Sequence, residues 1–563
     1  MKRLGALLAS LLLLLSGCTG NGDAPSSSKD KEQRNKAVTS AKENHPQSDA
    51  YGKYEKPVTV KIGFKVPEST LSGGNTNDNN PISRYFESMT NIKVEHSWEA
   101  KGEEAFKQKV NLAIASGDLP DAMVVDRDQL KKLMANDMIE DLSQVFPQYG
   151  SELVQAIYES TNGQALQEAT FDGKLYGLSN IAIKADSTSL LWYRQDWLDK
   201  LGLSPPTTIS EIEKVALAFV QQDPDGDGKA NTVGLAGDKT ILYGQKPNMN
   251  GFEAIFHSFY SFPKNWVKGT GGAVIYGSIM PETKQALSLL ADWYKRGVID
   301  PQFVLYKETQ EPITSNRAGL FFGPWWMPYW PLSDSVARDT KAEWRAIASP
   351  IGVNGRFVTH AAPVTDRYLV VRKGFEHPEA IIKLLNMFTR LERRQDPNEE
   401  QIKMMDDFAA ESGVQLRHYY PFDLLLDYSN AIETRYMDLQ KVMSGEMSSA
   451  SLDPDTLQLY EMTVFENDNP KKNMDAWKAS NAYKYGAKAL RLSEAEEVHS
   501  VFFGSTATMD VKWAELEKLE NEVFLQIIVG DQPISAFDGF VQRWKELGGE
   551  QITKEVAASV ARE

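Results

Sequence analysis

An alternation of strand and helix patterns in the first quarter of the chain constrains the fold more than any other feature. Alternate positions are mostly apolar in 58–64 and in 92–98, which is the period of a half-buried strand. Residues 81–89 and 103–115 have helix patterns, and the short apolar run 122–125 is typical of a buried strand. This β-α-β-α-β order predicts an α/β fold with a parallel sheet.

The order of these elements also predicts where a ligand would lie. In open α/β sheets, ligands bind beyond the carboxyl ends of the strands. These ends are followed here by the Gly- and Asn-rich loop 65–80, by Trp98 and Glu99, and by Asp126 and Arg127. An ordinary capped surface loop is the alternative in each case, and the residues alone leave both interpretations open.

The remainder of the chain continues the mixture of strands and helices. About 510 residues follow position 50, which is too many for a single hydrophobic core and predicts two or more lobes. Strand patterns cover 190–193 and 369–371, and helix patterns cover 194–200, 211–220, 281–296, 379–390, 509–529 and 537–547.

The N-terminal residues predict export. Lys2 and Arg3 precede an apolar run of about a dozen residues, which is too short to span a bilayer and is typical of a signal peptide at 1–17. Residues 15–18, Leu-Ser-Gly-Cys, resemble a bacterial lipobox, so we expect Cys18 to be lipidated; an ordinary secretory signal is the alternative. Cys18 is the only cysteine, so stability cannot rest on disulfides. The polar residues 18–55 predict a flexible tether.

Charge and motifs argue against several functional classes. The net charge is −16, which disfavours nucleic-acid binding because phosphates require a basic face. The chain contains no H-E-x-x-H, G-x-S-x-G or G-x-x-x-x-G-K-[ST] sequence, and lipidation would occupy the one cysteine. We therefore predict that the protein is not an enzyme. The alternative, a catalytic pair of carboxylates among its 77 acidic residues, is left open by the sequence.

An acidic loop, DPDGDGKANT at 223–232, has the ligand spacing of a Ca²⁺ site. Its oxygen ligands fall at positions 1, 3, 5, 7 and 9, and glycines permit the tight turn. Position 12 is Gly234 instead of the bidentate Glu of an EF-hand, and a strand pattern follows, so we expect a structural ion; a solvated turn is the alternative. The predicted ligands are Asp223, Asp225, Asp227, the Lys229 carbonyl and Asn231.

The segment FFGPWWMPYWP at 321–331 combines six aromatic residues with three prolines. Such a segment is either core or a surface that holds something flat and apolar. Phe321 and Phe322 end a strand pattern and are predicted to lie in the core. Of the four aromatic residues that follow the Gly-Pro break, we expect two in a ligand cleft and two packed beneath: Trp325, Trp326, Tyr329 and Trp330.

Six segments, in their order and spacing, match phrases of a known family. They are ASGDLPDAMVVD at 115–126, FDGKLYGLSN at 171–180, LWYRQDWLDKLGL at 191–203, DPDGDGKANTVGL at 223–235, GLFFGPWW at 319–326 and GDQPISAFDGFVQRWKELGGEQITKEV at 530–556. Together they resemble the extracellular solute-binding proteins, family 1, of ABC importers. Within that family the chain is similar to large oligosaccharide-binding lipoproteins of Gram-positive bacteria and to the alginate-oligosaccharide binding proteins. The resemblance covers essentially everything after residue 55.

The resemblance implies a two-lobed, periplasmic-binding-protein-like fold of type II with an interlobe ligand cleft. One lobe would comprise 56–188 and about 355–440, and the other 189–354 and about 441–563. It implies a monomeric, lipid-anchored receptor on the extracytoplasmic face of a Gram-positive cell membrane, which delivers an oligosaccharide to ABC permease subunits. The alternative is a sensory co-receptor that presents a carbohydrate to a membrane kinase.

Sugar chemistry selects the candidate site residues. An aromatic ring matches the apolar face of a sugar, while charged and amide side chains match its hydroxyls. Trp266 lies in a Lys- and Gly-rich loop and is predicted to act as a lid, whereas Trp513 and Trp544 are predicted to be core. The candidate ligand-binding residues are Trp98, Glu99, Asp126, Arg127, Trp192, Arg194, Trp266, Trp325, Trp326, Tyr329, Trp330, Arg367 and Arg417.

Overall fold

The computed structural model of the chain describes residues 50–561, apart from 68–70, 72–73, 245–246 and 413–415. The predicted signal peptide, Cys18 and nearly all of the tether therefore lie outside the described residues. Ala50 and Tyr51, near the end of the predicted tether, instead pack on the domain: Asn386 Nδ2 donates to the Ala50 carbonyl at 2.9 Å, and Arg390 lies over the Tyr51 ring. No helix in the described part of the chain is long and apolar enough to cross a membrane.

The described residues contain two main β-sheets and three small two-stranded pairings. The strands are β1 (Val58–Val66), β2 (Ile92–Lys101), β3 (Ala122–Val125), β4 (Thr170–Phe171), β5 (Lys174–Leu175), β6 (Leu178–Ser179), β7 (Leu190–Arg194), β8 (Val233–Leu235), β9 (Trp266–Lys268), β10 (Val274–Tyr276), β11 (Ala318–Gly323), β12 (Trp344–Ile347), β13 (Val358–Ala361), β14 (Tyr368–Val371) and β15 (Glu496–His499).

The first main sheet confirms the parallel arrangement predicted from the β-α-β-α-β pattern. Its order is β2-β1-β3-β14-β6, with β1 parallel to both β2 and β3. Strand β14 joins it antiparallel to β3, with Tyr368 opposite Val125. This late strand therefore places the residues that precede it beside the residues that follow β3.

The second main sheet has the order β12-β7-β11-β8. Strand β7 is antiparallel to β11 and β12, and β11 is parallel to β8. Phe321 and Phe322 on β11 are fully buried, which confirms their prediction as strand core.

Helices cover the faces of both sheets. They are α1 (Pro81–Thr90), α2 (Glu103–Ser116), α3 (Arg127–Ala135), α4 (Val145–Tyr149), α5 (Glu152–Glu159), α6 (Gln164–Gln167), α7 (Gln195–Leu201), α8 (Ile209–Gln222), α9 (Glu253–Ser258), α10 (Pro281–Lys295), α11 (Glu311–Thr314), α12 (Ser333–Arg338), α13 (Pro378–Glu392), α14 (Glu399–Ser412), α15 (Ala431–Met443), α16 (Pro454–Asp468), α17 (Met474–Asn481), α18 (Lys488–Leu492), α19 (Met509–Val529), α20 (Ala536–Trp544) and α21 (Glu550–Val560).

Separate hydrophobic cores form around the two main sheets. The first core combines β1, β3 and β14 with the buried face of α13. The second combines β7 and β11 with helices from the C-terminal part of the chain, including α19 and α20. Trp544 is buried in this second core and Trp513 packs against it, as predicted.

Candidate functional site

A pocket of 590 Å³ lies at the carboxyl ends of the parallel strands of the first sheet. Residues 63–67 at the end of β1, residues 124–126 at the end of β3 and the start of α2 line its walls. Because β14 runs antiparallel to β3, the two residues just before β14 lie at this same end of the sheet. These residues, Asp366 and Arg367, also line the pocket. This is the position at which open α/β sheets bind ligands.

A cluster of charged side chains forms one wall of this pocket. Asp423 accepts a hydrogen bond from Arg367 Nη1 at 2.9 Å and also pairs with Lys65. Lys65 Nζ lies 2.9 Å from Glu103 Oε2 as well. Burial by itself would raise the pKa of Asp423, but the adjacent Arg367 and Lys65 hold it below its ordinary value. The wall therefore presents an ionised Asp423 carboxylate that is already paired with two cations.

Asp126 and Arg127 follow β3, and the structure gives them different surroundings. Asp126 is the N-cap of α3, where its Oδ1 accepts from Gln129 N at 2.9 Å, and it also lines the pocket. Arg127 is paired with Glu168. The next residue, Asp128, accepts from Ser505 N at 3.1 Å, so a loop of the C-terminal region contacts this edge.

Trp98 and Glu99 lie within β2, not after it, since the strand extends to Lys101. The Trp98 ring covers Gly63, where even a Cβ atom would come within 2.3 Å of it, and packs on Phe106 at 5.3 Å. Both Gly63 and Phe106 line the pocket, so Trp98 supports its wall from behind. Glu99 instead bonds His96 and Asn77 on the exposed face of the strand.

The aromatic segment at 321–331 divides into packed and accessible residues. Trp325 is 7% exposed, donates to Asp186 Oδ1 at 2.8 Å and packs edge-on against Tyr483. Trp326 is half-buried. Tyr329 and Trp330 are 41% and 42% exposed, so the last two aromatic residues of the segment are the most accessible of the four.

Tyr329 combines a desolvated phenol with a partly exposed side chain. Surrounding protein atoms desolvate its phenol and raise its pKa, with Tyr483 adding to the effect, yet much of the residue remains accessible to solvent. Arg435 and Asp455 lie close enough to influence the same hydroxyl.

The segment 423–427 connects this aromatic surface with the pocket. Asp423 lines the pocket, whereas Asp427 accepts two hydrogen bonds from Arg435, at 2.8 and 2.9 Å, near Tyr329. Four residues span at most about 15 Å, since consecutive Cα atoms are about 3.8 Å apart. This short segment therefore links the pocket with the ion pairs whose charges influence the Tyr329 hydroxyl.

Sequence reasoning missed several charged residues of this region. Lys65 falls in the loop predicted after β1, so its position carried a signal, although the residue itself was not selected. No sequence pattern pointed to the other three residues, because only the fold of the C-terminal half brings them to this region. They are Asp423, Asp427 and Arg435.

Arg367 and Arg417 both lie near the pocket. Arg367 lines it directly. Arg417 lines an adjoining pocket of 300 Å³ that shares Tyr420 with the first one. Arg367, which is far from Asp126 in sequence, therefore lies in the same pocket, and Arg417 lies in the adjoining one.

The structure does not bring three predicted residues to this region. Trp192 is fully buried, donates to the Pro324 carbonyl at 3.0 Å and stacks on Phe321. Arg194 is 2% exposed because its guanidinium pairs with Asp196 and lies over the Trp197 ring.

Trp266 is the third of these residues, and its prediction as a lid is wrong. It lies on β9, is 4% exposed, and packs with Tyr276, Trp513 and Trp544. Flanking Lys and Gly residues suggested a loop, but the indole is a central member of an aromatic core cluster.

The acidic loop connects the end of α8 to β8, which is the predicted helix-loop-strand arrangement. Carboxylate oxygens of Asp223, Asp225 and Asp227 lie within 4.8 Å of one another. Local burial and a hydrogen bond with Asp223 raise the pKa of Asp225, as expected for crowded carboxylates that a cation would stabilise. Asn231 Oδ1 is buried without a hydrogen-bond partner, so an oxygen ligand is available at position 9. The residues present therefore fit a hard divalent cation.

Two solved structures define the class of fold. FusA, an ABC-transporter substrate-binding protein of Streptococcus pneumoniae solved as an EF-hand mutant with fructo-nystose, superposes with a TM-score of 0.60 and 17% identity, over 90% of this chain and 99% of that one. The alginate-binding protein AlgQ2, solved without calcium ion, gives 0.59 and 16%, over 91% and 100%. The fold is that of the two-lobed solute-binding proteins, with a ligand cleft between the lobes.

Sequence comparison then gives the family. Residues 73–392, more than half of the chain, match the bacterial extracellular solute-binding proteins, and the chain belongs to that family. A curated relative is the polygalacturonan/rhamnogalacturonan-binding protein YtcQ of Bacillus subtilis strain 168. It is 23% identical over 487 residues, which cover 83% of this chain and 86% of YtcQ. YtcQ, FusA and AlgQ2 are all named as binding proteins.

Proposed function

We propose that this protein is the lipid-anchored receptor of an ABC importer, which captures an oligosaccharide and delivers it to membrane permease subunits. The observation that carries the proposal is the charged pocket at the carboxyl ends of β1 and β3, and the accessible rings of Tyr329 and Trp330 form the second part of the proposed site. FusA was solved with fructo-nystose, and YtcQ is named for polysaccharide binding, which supports a carbohydrate ligand.

The two parts of the proposed site match the two kinds of sugar surface. Tyr329 and Trp330 offer accessible rings for the apolar face of a pyranose or furanose. Carboxylates such as Asp126 and Asp423 accept hydrogen bonds from hydroxyl groups, and Arg367 donates to hydroxyl oxygens. Trp326 and Arg417 belong to the edge of this site, and Trp98 and Trp325 support it from within the protein.

We further propose that the acidic loop holds a structural Ca²⁺ ion. Asp223, Asp225, Asp227, the Lys229 carbonyl and Asn231 would be its ligands, and the ion would stabilise the connection between α8 and β8. The loop residues are not among those that line the pocket, so we assign the loop no role in ligand binding.

The anchoring and the lobe boundaries complete the proposal. Lipidation at Cys18 would hold a monomeric receptor at the extracytoplasmic face of the cell membrane. The lobes would comprise 56–188 with about 355–440, and 189–354 with about 441–563. Radiolabelled palmitate incorporation, compared with a Cys18→Ala variant expressed in a Gram-positive host, tests the anchor directly.

The test of the ligand class is a glycan array probed with the chain from residue 19, followed by calorimetric titration of each hit. We expect Trp330→Ala and Tyr329→Ala to weaken binding about 5- to 30-fold, since each removes roughly 1–2 kcal/mol of stacking and burial. The melting temperature of both variants should stay close to that of the wild type because these rings are already exposed.

Matched variants separate binding from folding. Phe465→Ala removes an aromatic side chain of similar exposure, 42%, on α16 and should leave affinity unchanged. Trp325→Ala removes a buried ring and should reduce the free energy of unfolding by about 3–5 kcal/mol. If no glycan binds the folded chain, the proposed function is wrong; if glycans bind but the Trp330 and Tyr329 variants behave like Phe465→Ala, only the site is wrong.

A further inference from the structure

The pocket at the ends of β1 and β3 carries more negative than positive side chains. Its lining contains three cationic residues and five acidic ones. Burial, reinforced by Arg417, lowers the pKa of the remaining titratable base, His418, so that this imidazole is neutral at neutral pH. The cationic residues are Lys65, Lys107 and Arg367, and the acidic residues are Glu103, Glu104, Asp126, Asp366 and Asp423.

Each cation of the lining already has a carboxylate partner. Lys65 is bonded to Glu103 and to Asp423, and Arg367 Nη1 is bonded to the same Asp423 at 2.9 Å. Lys107 Nζ lies 3.5 Å from Asp126 Oδ2. A carboxylate on a ligand would have to displace one of these partners, and a half-buried carboxylate left without its cation is costly.

The surroundings of the aromatic pair show the same neutralisation. Arg435, which lies near Tyr329, bonds Asp427 at 2.8 and 2.9 Å and Asp455 at 3.2 Å. Arg393 pairs with the same two carboxylates. These guanidinium groups are committed to a network in the protein and offer a uronate no unpaired positive charge.

A hydroxyl group on a ligand would interact with the paired charges of this lining differently from a carboxylate. A hydroxyl donates to a carboxylate oxygen and accepts from a lysine or guanidinium group at the same time, so it can join a paired cluster without breaking it. Ionised carboxylate oxygens accept only, and the excess of them in the lining gives hydroxyl donors many partners.

We infer that this pocket selects sugar residues without carboxylates and excludes uronates. The inference rests on the proposed function, because it assumes that the pocket contacts an oligosaccharide, and it names the charge class of that ligand. It separates this protein from YtcQ, whose named ligands are the acidic polymers polygalacturonan and rhamnogalacturonan.

The experiment compares length-matched trisaccharides on the chain from residue 19. The neutral set contains trimers of glucose, galactose, mannose and xylose, and the acidic set contains trimers of galacturonate, mannuronate and guluronate. We expect the best neutral trimer to bind at least tenfold more tightly than the best acidic trimer in 50 mM salt. The ratio should fall in 500 mM salt, because screening weakens repulsion between charges.

The double variant E103Q/E104Q removes two negative charges from the pocket mouth, and Glu411→Gln is the control for loss of a surface charge elsewhere. We expect E103Q/E104Q to reduce the neutral-to-acidic ratio at least threefold, whereas Glu411→Gln leaves it unchanged. An unchanged ratio in E103Q/E104Q would overturn the assignment of the selectivity to this pocket. Should the double variant not fold, the wild-type ratio still decides the inference.

The outcomes separate the two proposals. Acidic trimers that bind the wild type as tightly as neutral ones, or more tightly, overturn the inference and leave the oligosaccharide receptor standing. Failure of both sets, together with an empty glycan array, overturns the proposed function and the inference with it.

Discussion

Trp325 and Trp330 lie five residues apart, but tertiary packing gives them opposite environments. Trp325 is 7% exposed and hydrogen-bonded to Asp186, whereas Trp330 is 42% exposed. Both are Trp residues in one Pro-rich segment, so composition could not distinguish them. At the scale of the residue, burial decides whether an aromatic ring supports the fold or is available to a ligand.

Glu520 is a buried acid whose role is readable from its contacts. It lies on α19 and accepts hydrogen bonds from Tyr276 Oη and Ser278 Oγ, both at 2.9 Å. Burial raises the pKa of Glu520 to about 7, although Lys264 opposes the shift. A raised carboxyl pKa means that the protonated form is the one the folded state favours.

The pH dependence of stability follows with a defined sign. The contribution of Glu520 is fully present below its unfolded pKa of about 4.3 and is lost as pH rises through the folded value of about 7. We therefore expect the wild type to lose about 2–3 kcal/mol of unfolding free energy relative to Glu520→Gln between pH 5 and pH 8. Urea denaturation at each pH measures this difference.

The control for Glu520 lies on the same helix. Glu522 is exposed and forms a surface pair with Lys518, so Glu522→Gln should follow the wild-type pH profile. Parallel profiles for wild type and Glu520→Gln would contradict the assignment of a titrating, buried carboxyl.

At the scale of the element, the order of elements along the chain positions the functional groups. Strand β14 enters the first sheet from a distant part of the sequence and runs antiparallel to β3. This direction brings Arg367 to the pocket that Asp126 lines from the end of β3. The loop between α8 and β8 likewise depends on its flanking elements, since Asp223, the first predicted ligand, is the C-cap residue of α8.

Removal of divalent cations should therefore lower the melting temperature. A ligand at about 100 times its Kd stabilises the folded state by about 2.7 kcal/mol. For a chain of this length, that energy corresponds to about 2–3 °C, so EDTA should shift the calorimetric transition down by that amount and added Ca²⁺ should restore it.

The matched variants for the metal loop are Asp225→Asn with Asp227→Asn, and Asp531→Asn at an exposed position outside it. The loop variant should melt at the same temperature with and without EDTA, whereas Asp531→Asn should respond as the wild type does. A wild-type transition that EDTA leaves unmoved would rule out a structural ion.

At the scale of the whole molecule, two sheets have separate cores, and the proposed binding region draws on residues that follow strands of both. The first core contains β1, β3 and β14, and the second contains β7 and β11. Ser505 N donates to Asp128 Oδ1 at 3.1 Å, which connects a loop beside the second core to a helix of the first. If the lobes close around a ligand, the strength of such contacts between them would depend on ligand binding.

We expect the loss of this contact to weaken ligand binding, because it removes a hydrogen bond between the regions of the two cores. Asp128→Ala should raise the Kd two- to tenfold, since a hydrogen bond to a charged group contributes roughly 1 kcal/mol at a partly exposed site. Small-angle scattering should show a smaller ligand-induced decrease in the radius of gyration. Asp118→Ala, an exposed acid outside the contact, serves as control, and identical behaviour of the two variants would exclude a role for Asp128 in closure.

Much of the secondary structure was predictable because local periodicity and termination signals are encoded in neighbouring residues. Strand β3 and helix α19 were predicted with the ends that the structure gives. The end of α19 was predictable because a glycine follows it, and Gly530 indeed adopts the left-handed conformation at the C-cap. The acidic loop was equally readable, since all of its ligands lie within nine consecutive residues. In each case the interacting groups are close in sequence.

The sequence by itself thus determined the α/β class, the parallel start of the first sheet and the acidic loop. Only the tertiary structure decided that Trp192, Arg194 and Trp266 belong to the core, and that Lys65 and Asp423 share one pocket. The reason is physical: burial and ion pairing arise between residues separated by hundreds of positions, and no local pattern specifies which of them meet.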